Sequence, residues 1–394
     1  MKTLFKNANL IDGSGNGIQK NVCIAVENGI IKEIVDDASV SIDKTADGIN
    51  LSGKYVMPGL IDCHVHIISD ASADPAAALH KFTRVDFTMM AVKNLEKLLK
   101  GGVTYIREVG DIHNISLDLK KYIKDGSIKG PEMHCANRII TMTGGHGYML
   151  GREADGTDEV RKAVREQLKA GADLIKVVST GGVMTPGVDI HSYQFNTDEL
   201  TAAAQEAHKA GKKICTHCHG TQGIKNSVKA GINSIEHATI LDEEAADMMA
   251  EEGTYMVPTF AAIYYIVKNS KAKGIPQFAI GKAKEARNTH IKSLRMACRA
   301  GVPIAMGTDI GTPFNRAGIS SAFELELMQR AGMDAADVIK ASTKSAAELI
   351  GIESKYGTLE AGKYADFIVL TENPLKNIKT VQSLEAVYKK GERV

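Results

Sequence analysis

Five times along this chain a helical segment ends in glycine and an apolar run follows within a few residues. "LEKLLKGG" leads into "VTYIREVG" and "VREQLKAG" into "ADLIKVVS". "AAQEAHKAG" precedes "KICTHCH", "MMAEEG" precedes "TYMVPT", and "LRMACRAG" precedes "VPIAMGTD". Glycine just past a helix suits the left-handed C-terminal cap, and a short loop then starts the next strand. Three further runs, "GLIDCHVH" (59–66), "EMHCANRI" (132–139) and "INSIEHA" (232–238), bring the strand candidates to eight. Eight strands alternating with helices over about 300 residues predict an α/β fold, a (β/α)8 TIM barrel. An open doubly wound sheet is the rival, but no glycine-rich phosphate loop follows "GLIDCHVH".

Both chain ends read differently. "LFKNANLI", "NVCIAVENGIIKEIV" and "GKYVMPG" at the front, and "YGTLEAGKYADFIVL" and "VQSLEAVYKKGERV" at the back, are short strands with turns. Each set has too few strands to make a stable sheet alone. The expectation is therefore one small β-sandwich built from residues 1–57 and 356–394, flanking a barrel of residues 58–355.

Composition narrows the partners. Lys plus Arg (48) nearly cancels Asp plus Glu (47), and no basic stripe is visible, so a nucleic-acid partner is not expected. A membrane helix needs about 18 apolar residues in a row and no run reaches that length. The opening "MKTLFKNANLIDGSG" has no long apolar core, so no signal peptide is expected. Cysteines 23, 63, 135, 215, 218 and 298 follow no disulfide framework, which suits a reducing compartment. The C-x-x-C at 215–218 places its thiols on opposite faces of a strand, against a shared site.

In a (β/α)8 barrel the chemistry sits at the C-terminal ends of the strands. There strand one offers His64 and His66, which share a face. Strand four carries Lys176, strand five His217 and His219, strand six His237, and strand eight Asp309. Each alone could be a rim or capping residue; together they form a metal-capable set. Imidazole and carboxylate suit Zn²⁺, and a catalytic zinc keeps a position open for water. His64, His66 and Asp309 could hold one divalent ion, and His217 and His237 a second. An ammonium at Lys176 beside two dications would be strongly disfavoured. Its free amine could take up carbon dioxide, and the resulting carbamate has two anionic oxygens, enough to bridge both ions.

These residues, with "VMPGLIDCHVH" in front and "GTLEAGKYADFIVL" behind, resemble the amidohydrolase superfamily over nearly the whole chain. "TGGHG", "DLIKVVSTGGVMTPG", "THCHG" and "SIEHATILDEE" look like its Xaa-Pro dipeptidase and metal-dependent carboxypeptidase branch, near imidazolonepropionase-related and ochratoxin-hydrolysing amidases. One departure is Glu108 in "IREVGD", where the branch leads one to expect Asp. The resemblance implies two divalent ions, zinc by preference, with N6-carboxylated Lys176. It also implies that His146 in the "GGHG" loop polarises the scissile carbonyl or binds a carboxylate, and that His219 contacts substrate. His191, Tyr193, Tyr264 and Tyr265 are weaker candidates for the lip of the site.

The function so implied is hydrolysis of an amide or peptide bond next to a free carboxylate, in dipeptides (Xaa-Pro among them) or N-acyl amino acids. Hydroxide activated by metal would attack the carbonyl, with Asp309 moving the proton. Alternatives are a mononuclear cyclic-amide hydrolase or deaminase of the imidazolonepropionase type, and a non-catalytic scaffold. A cytoplasmic homo-oligomer acting on a small molecule completes the expectation.

Overall fold

A computed structural model describes residues 2–36 and 47–394; residues 37–46 of the expected N-terminal part lie outside the described residues. The first strands are β1 (Lys2–Leu10), β2 (Gln19–Glu27), β3 (Ile30–Asp36), β4 (Asp47–Asn50) and β5 (Tyr55–Pro58). The barrel region holds β6 (Leu60–Val65), β7 (Val103–Glu108), β8 (Glu132–Cys135), β9 (Ile140–Thr141), β10 (Arg152–Glu153), β11 (Leu174–Val178), β12 (Lys213–Cys218), β13 (Ser234–His237) and β14 (Tyr255–Val257). Close to the C-terminus come β15 (Phe367–Leu370), β16 (Ala386–Lys389) and β17 (Glu392–Arg393).

Strands from the two ends make one eight-stranded sheet in the order β17-β16-β15-β5-β1-β2-β3, with β4 also on β1. The join is the antiparallel pair β5–β15, in register from Tyr55–Leu370 to Pro58–Phe367. Phe5, Phe367 and Tyr388 meet with ring centroids 4.8–5.0 Å apart, so strands from both termini share one core. Such aromatic contacts add about 0.5–1.5 kcal/mol each beyond the area they bury.

Within the barrel, β6–β7–β8 and β9–β11–β12–β13–β14 are parallel ladders. The expected eighth strand, 302–309, makes no regular ladder. It closes the barrel through single bonds from Met256 N to Pro303 O (2.9 Å), Cys63 N to Met306 O (2.9 Å) and Asp309 N to His64 O (2.8 Å). Pro303 lacks an N–H, and Asp309 adopts a left-handed φ of 57°, so a continuous strand cannot form here. The expected third strand, 132–139, is shorter: only β8 (Glu132–Cys135) forms within it, and β9 follows beyond its end.

Helices α1 (Pro75–Leu79), α2 (Arg84–Lys100), α3 (Ile115–Lys124), α4 (Gly156–Ala170), α5 (Thr197–Lys209) and α6 (Thr221–Lys229) cover the first part of the barrel. The others are α7 (Glu243–Glu251), α8 (Phe260–Lys268), α9 (Gln277–Ala300), α10 (Ser320–Ala331), α11 (Ala335–Ala341) and α12 (Lys344–Ile350). Gly102, Gly171, Gly211, Gly253 and Gly301, which end the five helical segments of the sequence pattern, all have φ between 65° and 99°. An L-residue rarely adopts that conformation, which is why glycine recurs there. Among the described residues, no helix is long and apolar enough to cross a membrane.

Helix α9 buries His290 against the Phe260 ring, with centroids 4.3 Å apart. Burial lowers its pKa from 6.5 to about 4. The unfolded chain therefore binds the extra proton more readily, so stability should fall as pH drops from about 6.5 towards 4. His290→Phe should remove up to about 3 kcal/mol of that loss, read from urea midpoints at pH 7 and pH 4.5. An identical acid loss in both proteins would rule His290 out as its source.

Candidate metal and active site

The sequence candidates gather on one cavity of about 170 Å³ at the C-terminal mouth of the barrel. His64, His66, His146, Lys176, His217, His219, His237 and Asp309 all line it. Its other walls are largely apolar, including Leu79 of α1, Met149 and Leu150 after β9, Val183 and Met184 after β11, and Ile263 of α8.

Two groups of side chains have ligand atoms within 4.8 Å of one another: His64, His66 and Asp309; and His217, His219 and His237. In the first group, His64 donates Nδ1–H to Glu236 Oε2 (2.8 Å), and His66 donates Nδ1–H to the Gly110 carbonyl (2.9 Å). Their Nε2 atoms then face Asp309 Oδ1 at 3.3 and 3.4 Å. Two lone-pair nitrogens and a carboxylate oxygen turned on one another would suit a shared cation. In the second group, His237 Nδ1 is fixed by the Thr259 hydroxyl (2.6 Å) and His219 Nδ1 by that of Thr239 (2.7 Å). His237 Nε2 approaches His217 Nδ1 to 2.8 Å, while His217 Nε2 is buried without a partner. Imidazoles anchored through one nitrogen and converging through the other are what a divalent ion needs. The donor set fits such an ion.

Burial favours the neutral form of the second group's rings, the state that binds metal. It pushes His217, His219 and His237 well below the usual histidine range, each further lowered by neighbouring histidines and Lys176 or Lys282. Burial would raise Asp309, but His64 and His66 outweigh it and hold the carboxyl well below its usual range. Lys176 is 2% exposed. Among the described residues no hydrogen bond or ion pair occupies its Nζ.

Backbone strain makes part of the arrangement. His237, Ala238, Thr259 and Asp309 have φ of 73°, 46°, 56° and 57°. Left-handed non-glycine residues cost about 1–3 kcal/mol each and cluster where function needs them. The turn at His237 explains a feature that the sequence pattern hides. On a regular strand Glu236 and His237 would point to opposite faces. Here both reach the site, and Glu236 bridges His64 and Arg107 Nη2 (2.7 Å). Arg107 also donates to Cys63 O (2.6 Å) and Ser234 Oγ (2.9 Å). Burial would raise Glu236, yet Arg107 and His64 bring it down to about 2. Sequence reasoning missed both Arg107 and Glu236. Asp62 was missed too: it accepts from Thr308 Oγ1 (2.7 Å) and Ser321 Oγ (2.8 Å), fixing the end of β6 against the strand-eight segment.

His146 is not a loosely held loop residue. Its N–H donates to Gln194 Oε1 (3.0 Å), its Nδ1 pairs with Thr185 Oγ1 (2.8 Å), and its ring lies 4.2 Å from that of His217. A Cβ at Gly182 would stand 2.5 Å from His146 Nε2, so only glycine leaves room for that ring. Burial lowers the His146 pKa to about 4. Glu108 is fully buried at the end of β7; Oε1 accepts Gly110 N (3.1 Å) and Oε2 has no partner. Burial, then Asp111, push its carboxyl well above the usual range.

The weaker lip candidates do not line the cavity. His191 is exposed and meets Glu285 Oε1 (3.1 Å), Tyr193 is exposed, and Tyr264 and Tyr265 pack on Phe323. Cys215 and Cys218 fall in separate apolar clusters. All six cysteines are free.

Known proteins resemble this chain over most of its length. Ochratoxinase of Aspergillus niger is 31% identical over 409 residues, covering 96% of this chain and 83% of the relative. The crystal structure of a Xaa-Pro dipeptidase with methionine bound in its active site superposes with a TM-score of 0.93, 33% identity and full coverage of both chains. A prolidase complexed with N-methylphosphonate-L-proline gives a TM-score of 0.92 at 26% identity, covering 100% of this chain and 99% of that one. The amidohydrolase family model matches residues 55–394, from β5 through the barrel to the C-terminal strands, and the chain belongs to the amidohydrolase family.

Proposed function

We propose that this hydrolase uses two divalent ions, zinc by preference, to cleave an amide or peptide bond beside a free carboxylate. Dipeptides, Xaa-Pro among them, and N-acyl amino acids are the substrate class. The observation that carries the reading is the pair of ligand groups facing one apolar cavity. His64, His66 and Asp309 would hold one ion and His217 and His237 the other, with Lys176 carboxylated on Nζ between them. When bound, the ions supply Lewis acidity and lower the pKa of water.

The chain's own residues do the remainder. Asp309, kept ionised, accepts the proton of the attacking water and passes it to the leaving amine. His146 polarises the carbonyl or pairs with the carboxylate, and His219 contacts the substrate. The apolar walls exclude water and receive the substrate's side chain. The methionine and the N-methylphosphonate-L-proline bound by the structural neighbours each carry an amino-acid carboxylate, as the proposed substrates do, which supports the reading. Six unpaired cysteines support a cytoplasmic location. A homo-oligomer belongs to the same reading, and light scattering tests it.

A hydrolysis screen over dipeptides and N-acyl amino acids, with and without an amide cap on the carboxylate, tests the substrate class. Capping should lower kcat/KM about a hundredfold, because it leaves a buried donor unpaired at about 1–3 kcal/mol. Equal turnover of capped and free substrates would move the reading to cyclic amides. Elemental analysis should find two ions per chain, falling towards one in Lys176→Met, while His219→Ala keeps both. Full activity with two ions in Lys176→Met would remove the carbamate.

A further inference from the structure

The segment between β11 and α5 makes an excursion over the cavity. Its base is closed by Gly181 N donating to Ser192 O (3.0 Å) and Gln194 N donating to Ser179 O (2.7 Å). Its inner side supplies Val183, Met184 and Thr185 to the cavity. Three carbonyls of this excursion, those of Gly182, Thr185 and Val188, converge on the ammonium of Lys282 from α9, at 3.0, 2.9 and 2.5 Å. An ammonium has three donors, and here all three are spent on one backbone segment. Among the described residues no carboxylate makes a contact ion pair with Lys282: Asp189 of the excursion acts on it only through its charge, and Glu285 of α9 pairs with His191.

Two of the three carbonyls belong to the residues that hold His146. Thr185 Oγ1 meets His146 Nδ1 (2.8 Å) and also accepts Gly147 N (3.1 Å). Gly182 packs so closely on the imidazole that a Cβ would overlap it. Lys282 itself touches neither His146 nor the cavity. We propose that Lys282 is a positioning residue: by gathering the carbonyls of Gly182, Thr185 and Val188 it presses Thr185 and Gly182 onto His146 and fixes that ring against the ligand histidines. The inference rests on the role given to His146 above and adds to it a residue that does not line the cavity. A charged donor suits this task because hydrogen bonds to an ion are about twice as strong as neutral ones, and three to one segment fix its shape.

The test is Lys282→Met, with Lys282→Gln as a milder variant that keeps two donors. Hydrogen–deuterium exchange of peptides covering 144–148 and 181–192 reads the latch with no need for turnover. Exchange there should quicken at least tenfold in Lys282→Met and less in Lys282→Gln, with the remainder of the barrel unchanged. On the best substrate of the screen, kcat/KM should fall on the order of a hundredfold, since small misplacements of a catalytic group cost that much. The same substitution should cost less than threefold in a His146→Ala background, because the two act as one unit. Alkylating Lys282→Cys with bromoethylamine, in a Cys298→Ser background, rebuilds a lysine-like ammonium and should restore both readings. Unchanged exchange would overturn the latch, whatever the activity. Faster exchange with kcat/KM intact, or a full additive loss in His146→Ala, would overturn the positioning of His146. A wild-type protein that hydrolyses nothing in the screen would count against the proposed function alone, and exchange would still decide the latch.

Discussion

Asp309→Asn is expected to lower kcat by about three to four orders of magnitude while at least one divalent ion stays bound. The carboxylate lies 3.3 and 3.4 Å from two imidazole nitrogens whose partners on the far side are already fixed. An asparagine keeps the size and one oxygen, so the backbone, tied by Asn315 Nδ2 to Asp309 O (2.8 Å), should not move. What it loses is the capacity to take a proton. The measurement pairs kcat with metal content by elemental analysis on the same sample. A loss of only a few-fold would assign proton transfer to another group, with His146 next. Complete loss of metal would instead make Asp309 chiefly a ligand.

The second large effect concerns stability. Arg107→Met should destabilise the fold by about 3–5 kcal/mol, because it strands the Glu236 carboxylate in the barrel interior. Glu236 is fully buried, and Arg107 is its cationic partner at 2.7 Å. Adding Glu236→Gln should recover more than half of the loss, since a neutral amide can still accept from His64 and no longer needs a counter-ion. Denaturant midpoints of the single and double variants decide it. If the double variant were no more stable than Arg107→Met, the cost would come from the lost bonds to Cys63 and Ser234 and not from the stranded charge.

The barrel and the gathering of its polar residues were legible because both rest on short-range rules. Glycine caps marked the helix ends, and strand alternation put His64 with His66 on one face. The strand-end position of Lys176, His217, His237 and Asp309 then followed from barrel geometry. Arg107 and Glu236 were hidden because that same alternation turns Glu236 away from His237, and only the left-handed backbone at His237 brings both inward. The hydroxyls of Thr185, Thr239 and Thr259 were hidden for another reason. Each meets its histidine through a loop whose path no local pattern specifies. The strand-eight segment was legible as an apolar run but not as an irregular one, since its ladder fails through Pro303 and the turn at Asp309.

The pairing of β5 with β15 has a consequence for how the molecule is made. On a ribosome β1 to β5 emerge before the barrel, yet the strand that joins their sheet, β15, emerges only after it. Throughout synthesis of the barrel, Tyr55–Pro58 presents an unfilled edge, and non-local pairing of this kind is slow and exposed to misassembly. Chaperone demand should therefore persist until β15 is available, and nascent chains arrested before Phe367 should remain protease-sensitive in β1 to β5 even after the barrel has closed.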